Sequence, residues 1–465
     1  MGLFGGAGRA HLRRGIERLE AGHADQALPE LDRAVARLPG EARAFYARGR
    51  AKAALGDLSG AEADFRRSTG LDARLAAAWH GLAWACLRRG DFAATREASD
   101  EGLRLDPTRA EAWFNRGQAR AAGGDLAGAV DDFGQALARG STWAAPYLSR
   151  ARAHRALRDP AGAIADYGAA IERDPTLFEA WYGRGSVRRS RGDLPGAIAD
   201  LERATALHPT SVRAWSALGH ARLAGGEPAE AVPAYDRALE LDPARADAWY
   251  GRGAARNLLD DLDGALADFE RAMDVDPGTA AEWYARGHAH LAKGRPAAAH
   301  ADFDRAVRLD PAAAFAYVAR ADAAAATARW EDAEADYGRA LERDASILEA
   351  RVNRALARAA RDDFAGAEGD LSAALHLDPG ALDVLEARGE ARFALGDATG
   401  ALADWDAVLE RAPDRASARR LRGAARLEAG DEAGGAADLH RYLELAPQAA
   451  DAATVREALE SRELA

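Results

Sequence analysis

Apolar and small residues along the chain recur on a 34-residue beat, and inside each beat they fall at the three-to-four-residue spacing of an amphipathic helix. A ruler started at Gly8 runs to Ala449 through thirteen units without insertion or deletion: 8–41, 42–75 and onward in steps of 34 to 416–449. Position 20 of the unit is Ala in eleven units, from Ala27 to Ala401, and position 8 is Gly in nine, as at Gly49 and Gly117. Position 4 is Trp in six, from Trp79 to Trp283, and position 24 is mostly aromatic or Leu, as at Phe65 and Tyr235. Position 32 is Pro in ten, including Pro107 and Pro243.

This pattern predicts two helices per unit, helix A over positions 1–14 and helix B over 17–30. Gly and Asp at positions 15 and 16, as in Gly56-Asp57 and Gly124-Asp125, stop one helix and cap the next. Asp-Pro pairs such as Asp106-Pro107 end helix B, because proline biases the preceding residue away from the α region. Residues 1–7 form a Gly-rich lead. Ala450–Ala465 places Ala452, Val455 and Leu459 on one face and reads as a capping helix for the last repeat.

Trp-x2-[LR]-Gly, then Ala, then Phe or Tyr, then Pro at these spacings resembles the tetratricopeptide repeat over residues 8–449. The resemblance implies an all-α, right-handed superhelical α-solenoid, each helix pair leaving an apolar face that its neighbour covers. Two departures stand out. Position 11 is often Arg (Arg120, Arg188, Arg222, Arg256) and reads as a stem lying over the core with its head in solvent. Position 4 turns polar at His11, Arg351 and Arg419, which suggests looser packing in repeats 11–13.

Comparing the repeats with each other exposes a pairing rule. Position 7 is Arg in eleven repeats and Leu in two, Leu82 and Leu218; position 23 is acidic in the same eleven and Ala in the same two, Ala98 and Ala234. Joint replacement predicts an architectural ion pair between helices A and B of each unit, such as Arg48 with Asp64 and Arg14 with Glu30.

Charge and composition then narrow the function. The net charge of −12 is uneven: residues 1–200 carry 30 basic and 26 acidic side chains, residues 201–465 carry 32 and 48. The one cysteine, Cys86, excludes an internal disulfide framework and any multi-thiolate metal site. No secretory signal is legible, no run is long enough to span a membrane, and a cytoplasmic location is expected. Sixty arginines against two lysines, with abundant Ala and Gly, fit a GC-rich bacterial genome. No phosphate loop, zinc-protease or serine-hydrolase motif occurs, so neither an enzyme nor a cofactor is expected. His288, His290 and His300 are close in sequence, but positions 9 and 11 diverge on the helix and do not build one metal site.

Positions 2, 5, 9, 12 and 13 of helix A point away from helix B and vary most between repeats; the resemblance implies that this face lines a concave groove. Repeats 2–9 place there Tyr46, Arg50, His80, Trp84, Arg88, Phe114, Arg152, Arg155, Tyr182, Arg189, Tyr250, Asn257, Tyr284 and His288. Arg with Tyr and Trp is the composition of interface hot spots. The expected partner is a protein or peptide, an acidic segment with apolar anchors, gripped by a non-catalytic scaffold. Repeats 10–13 turn acidic (Asp322, Glu349, Asp383, Glu386, Glu390, Glu428) and would repel such a segment or serve a second, basic partner. The alternative is RNA bound by the Arg and aromatic face of repeats 2–7, against which a pI near 5.5 and the two lysines argue. A clamp for acidic C-terminal tails would need Lys at position 5 and Asn at position 9; Asn115 is an Asn on this helix but stands at position 6, and the preceding repeat offers His80 and Trp84.

Overall fold

Residues 2–276 and 278–462 are described in a computed structural model, with side chains from Gly6 onward. Among them are twenty-seven α-helices and no strand. The ruler coincides with the helix boundaries: helix A of repeat 2 spans Ala42–Ala54 and its helix B Leu58–Leu71, while repeat 12 has Leu382–Ala394 and Ala398–Arg411. The first helix begins earlier than the repeat pattern, at Gly2, so the Gly-rich lead continues into it as Gly2–Glu20. The chain divides into two units, Met1–Pro243 and Ala244–Ala465. Within each, helix pairs stack on their sequence neighbours, and the last helix, Ala452–Ser461, buries Leu459 against Leu427 and Leu439.

Each turn is built as its residues dictate. Asp57 accepts a hydrogen bond from the Gly60 amide at 2.9 Å, and Asp91, Asp125 and Asp193 cap their helices the same way. Gly56, Gly124 and Gly192 hold φ of 85, 85 and 81°, which glycine adopts without steric cost. Four repeats put another residue at that position, and Arg158, Asp260, Ala328 and Asp362 are all forced to positive φ. A left-handed alanine costs roughly 1–2 kcal/mol, less the backbone entropy of glycine. Ala328→Gly is therefore expected to stabilise the second unit by about 0.5–1 kcal/mol in a denaturant titration; a loss of stability would show that the turn is not strained.

All eleven predicted pairs form. Ten are two-pronged, as in Arg116 to Asp132 at 2.9 and 2.7 Å and Arg252 to Asp268 at 2.8 and 2.7 Å; Arg14 reaches Glu30 through one bond of 3.0 Å. Leu82 with Ala98 and Leu218 with Ala234 are buried in shared apolar clusters instead.

The position-11 arginines do not put their heads into solvent. Arg120, Arg188, Arg256, Arg358, Arg392 and Arg426 bind the same position-23 carboxylate at 2.7–3.1 Å, a second cation on one buried anion. Burial pushes the Asp438 carboxyl up, yet hydrogen bonds from Arg422 and Arg419 hold it below the ordinary range.

The position-4 arginines take over the hydrogen bond of the indole, although the Arg351 Nε is left buried without a partner. The Trp113 indole donates to the Pro107 carbonyl at 2.8 Å; Arg351 and Arg419 reach the equivalent carbonyls of Ala345 and Pro413 at 2.9 and 3.1 Å. An arginine at this position replaces the indole N–H and adds a charge, which for Arg419 also meets Asp438.

Candidate partner-binding surface

Position 5 of helix A is a wall between core and surface, because its neighbour across the pair is the position-24 aromatic. Tyr46 packs on Phe65, Phe114 on Phe133, Tyr250 on Phe269 and Tyr284 on Phe303, with ring centroids 5.7–5.9 Å apart. Tyr182 joins the cluster of Leu201 and lies under the Arg213 guanidinium, 4.7 Å from its centroid. His80 departs from the sequence expectation: it is 9% exposed, and neither ring nitrogen has a hydrogen-bond partner.

Burial pushes the His80 imidazole below its ordinary range; Arg109 adds to this, while Asp106 and Glu111 oppose it. Burial likewise lowers His290 and His300. The unfolded chain then binds more protons than the folded one once the pH falls below about 6.5. Stability is full above that pH and declines as pH drops toward the depressed folded value. Thermal melts from pH 7 to 5 are expected to fall, with a shallower slope in His80→Gln; equal slopes would remove His80 from the account.

Positions 9, 12 and 13 are the open face. Arg50, Arg88, Arg152, Arg155 and Arg189 are exposed, and none makes an ion pair, in contrast to the arginines of positions 7 and 11. Arg50 lies 5.9 Å from the Tyr46 ring.

The residues expected to act together divide into groups. Trp84, Arg88 and Phe114 converge on a cavity of about 570 Å³, joined by five residues outside the expected set: Leu87, Glu111, Asn115, Gln118 and Trp143. Trp84 and Trp143 remain 37% and 39% exposed, and Trp143 tilts against Phe114 at 4.9 Å. Asn115 is only 6% exposed and lines the cavity.

Arg155 lines a separate cleft of about 290 Å³ between repeats 5 and 6, beside Arg158, Pro160, Val187 and Arg191. Tyr250, Asn257, Tyr284 and His288 belong to the second unit. There His288 meets the Tyr284 ring edge-on at 4.4 Å, and the Asn257 carbonyl is buried without a donor. No group of His, Cys, Asp and Glu among the described residues is arranged to hold a metal, and no helix there is long and apolar enough to cross a membrane.

Helix pairs of this length with an open helix A face define an α-solenoid scaffold of a type that is typically non-catalytic. The family described as "Tetratricopeptide repeat" matches at residues 12–76, 148–212, 216–281, 318–381 and 386–450, with related repeat families at 76–119 and 280–313. The chain belongs to the tetratricopeptide repeat family, a family of protein–protein interaction scaffolds.

Among solved structures it is similar to YrrB, "a TPR protein with an unusual peptide-binding site", at 22% identity over 40% of this chain and 97% of that one, TM-score 0.38. It is also similar to MamA (27% identity, 37% and 93% covered, TM-score 0.35) and to the anaphase-promoting-complex assembly Cut9-Hcn1 (14%, 88% and 95%, TM-score 0.41). No curated protein sequence matches the chain.

Proposed function

We propose that the chain is a non-catalytic scaffold that grips an acidic, apolar-anchored segment of a partner protein along the helix A faces of its first unit. The observation that carries this reading is the cavity walled by Trp84, Phe114 and Trp143, with the Asn115 amide in its lining. Aromatic walls supply desolvated area, and the amide offers both a donor and an acceptor to a peptide backbone. The cavity's own charges are balanced, Arg88 against Glu111, so the preference for an acidic segment comes from further along. Arg152 and Arg189 are exposed and unpaired, and Arg155, Arg158 and Arg191 ring one cleft, five guanidiniums free to take carboxylates as bidentate partners.

Cross-linking in cells followed by mass spectrometry would identify the partner. With that partner in hand, Arg152→Glu with Arg155→Glu is expected to slow association about tenfold or more at low salt, and less at high salt. An unchanged association rate would sever the arginines from binding, and salt-dependent capture of RNA in place of a protein would replace the reading.

A further inference from the structure

The junction between consecutive A helices opens the same cleft in both units. Between repeats 2 and 3 it is walled by Arg50, Ala53 and Ala54 (positions 9, 12 and 13) and by Gly81 and Trp84 (positions 6 and 9), with Phe65 as floor. Between repeats 11 and 12 the walls are Leu356 and Ala359 (positions 9 and 12) and Ala387 and Glu390 (positions 6 and 9), over Leu371. The register is shared and the charge on the rim is reversed, Arg50 in one and Glu390 in the other.

The second cleft has a volume of about 300 Å³ and is apolar apart from Glu390. Leu356 stands 51% exposed at its edge, and Phe364 closes the far side. A large aliphatic side chain left in water on the partner-facing side of helix A is area that a ligand can desolvate.

Its electrostatic setting also differs from that of the first unit. Residues 1–243 carry 34 basic and 32 acidic side chains; residues 244–465 carry 28 and 42, a net −14. Some of those acids are already used: Asp383 and Glu386 bind Arg415, and Asp322 accepts from Tyr337 and Asn353. Glu349 and Glu390 are exposed and make no ion pair. Although the residue as a whole is exposed, partial desolvation of its carboxyl against the cleft wall and the nearby Glu386 raise Glu390, with Arg420 opposing, so an added cation would relieve it.

We propose that this cleft docks a basic protein segment, which inserts an aliphatic side chain between Leu356 and Phe364 and sets a Lys or Arg against Glu390. The site is separate from the one proposed on the first unit, and neither depends on the other. One scaffold would thereby hold two partners, or two segments of one partner, that differ in charge.

The test pans a displayed library of random dodecamers on the full chain and resynthesises the enriched peptides for anisotropy titrations. The expected result is a basic family with Lys or Arg beside Leu, Ile or Val. Its affinity should fall at least tenfold for Leu356→Ala with Glu390→Lys and change less than twofold for Trp84→Ala. Both substituted residues are exposed, and circular dichroism verifies the fold; Glu390→Lys alone carries the test if the double variant is unstable. Failure to enrich a basic family, or a basic family bound equally well by Glu390→Lys, overturns the proposal without touching the first-unit site.

Discussion

Asp132→Ala is expected to destabilise the chain by about 3–5 kcal/mol, because it removes one side of a buried ion cluster and strands the other. Asp132 is 1% exposed and takes two bonds from Arg116, with Arg120 at 3.1 Å. Adding Arg116→Leu should recover at least half of that loss. Repeat 7 already carries this combination: Leu218 and Ala234 pack together, while Arg222 turns to Glu202 and the Glu230 carbonyl. Replacing a buried ion pair by apolar residues of fitting shape is often close to neutral, whereas breaking one is not. Urea unfolding of the three chains measures this directly. A double variant no more stable than Asp132→Ala would mean that Leu and Ala are tolerated in repeat 7 for reasons of local packing alone.

The second large effect is on binding. Trp84→Ala with Phe114→Ala is expected to weaken the partner by about 2 kcal/mol or more, since aromatic anchors in a desolvated pocket carry a disproportionate share of interface energy. Helical content should not change for Trp84, which is 37% exposed. Phe114 also packs on Phe133, so part of any effect of its removal is structural. Phe114→Leu separates the two roles: it keeps the core contact and removes the aromatic face turned to Trp143. Isothermal titration with wild-type stability as control would read both. Full affinity in the double variant would place the partner elsewhere.

Much of the architecture was legible because the chain repeats itself. The Arg and acid of positions 7 and 23 could be paired from sequence because Leu82 with Ala98 and Leu218 with Ala234 change together. The third member of that cluster was hidden, since Arg222 persists in repeat 7 where its carboxylate has become Ala234. Reading position 11 as a solvated stem missed that a buried aspartate with four acceptor sites has room for a second guanidinium. The candidate cavity was legible in part. Trp84 and Phe114 fall on the expected helix face, but Trp143 reaches it from the connection that ends repeat 4, where Gly140-Ser141 stands in place of the usual Asp-Pro. Its position outside the helices was a signal; its direction was not. The division at Pro243 left no trace either, because the ruler crosses it without a change of phase.

The most direct test of the central claim is photo-cross-linking from the cavity itself. A benzoylphenylalanine replacing Gln118, which lines the cavity, is compared with one replacing the exposed Glu97 on helix B of repeat 3. The account predicts that Gln118 captures one protein segment, acidic and carrying an aromatic or aliphatic anchor, and that Glu97 does not. Capture of that segment from Glu97 and not from Gln118 would contradict it, as would a basic segment at Gln118.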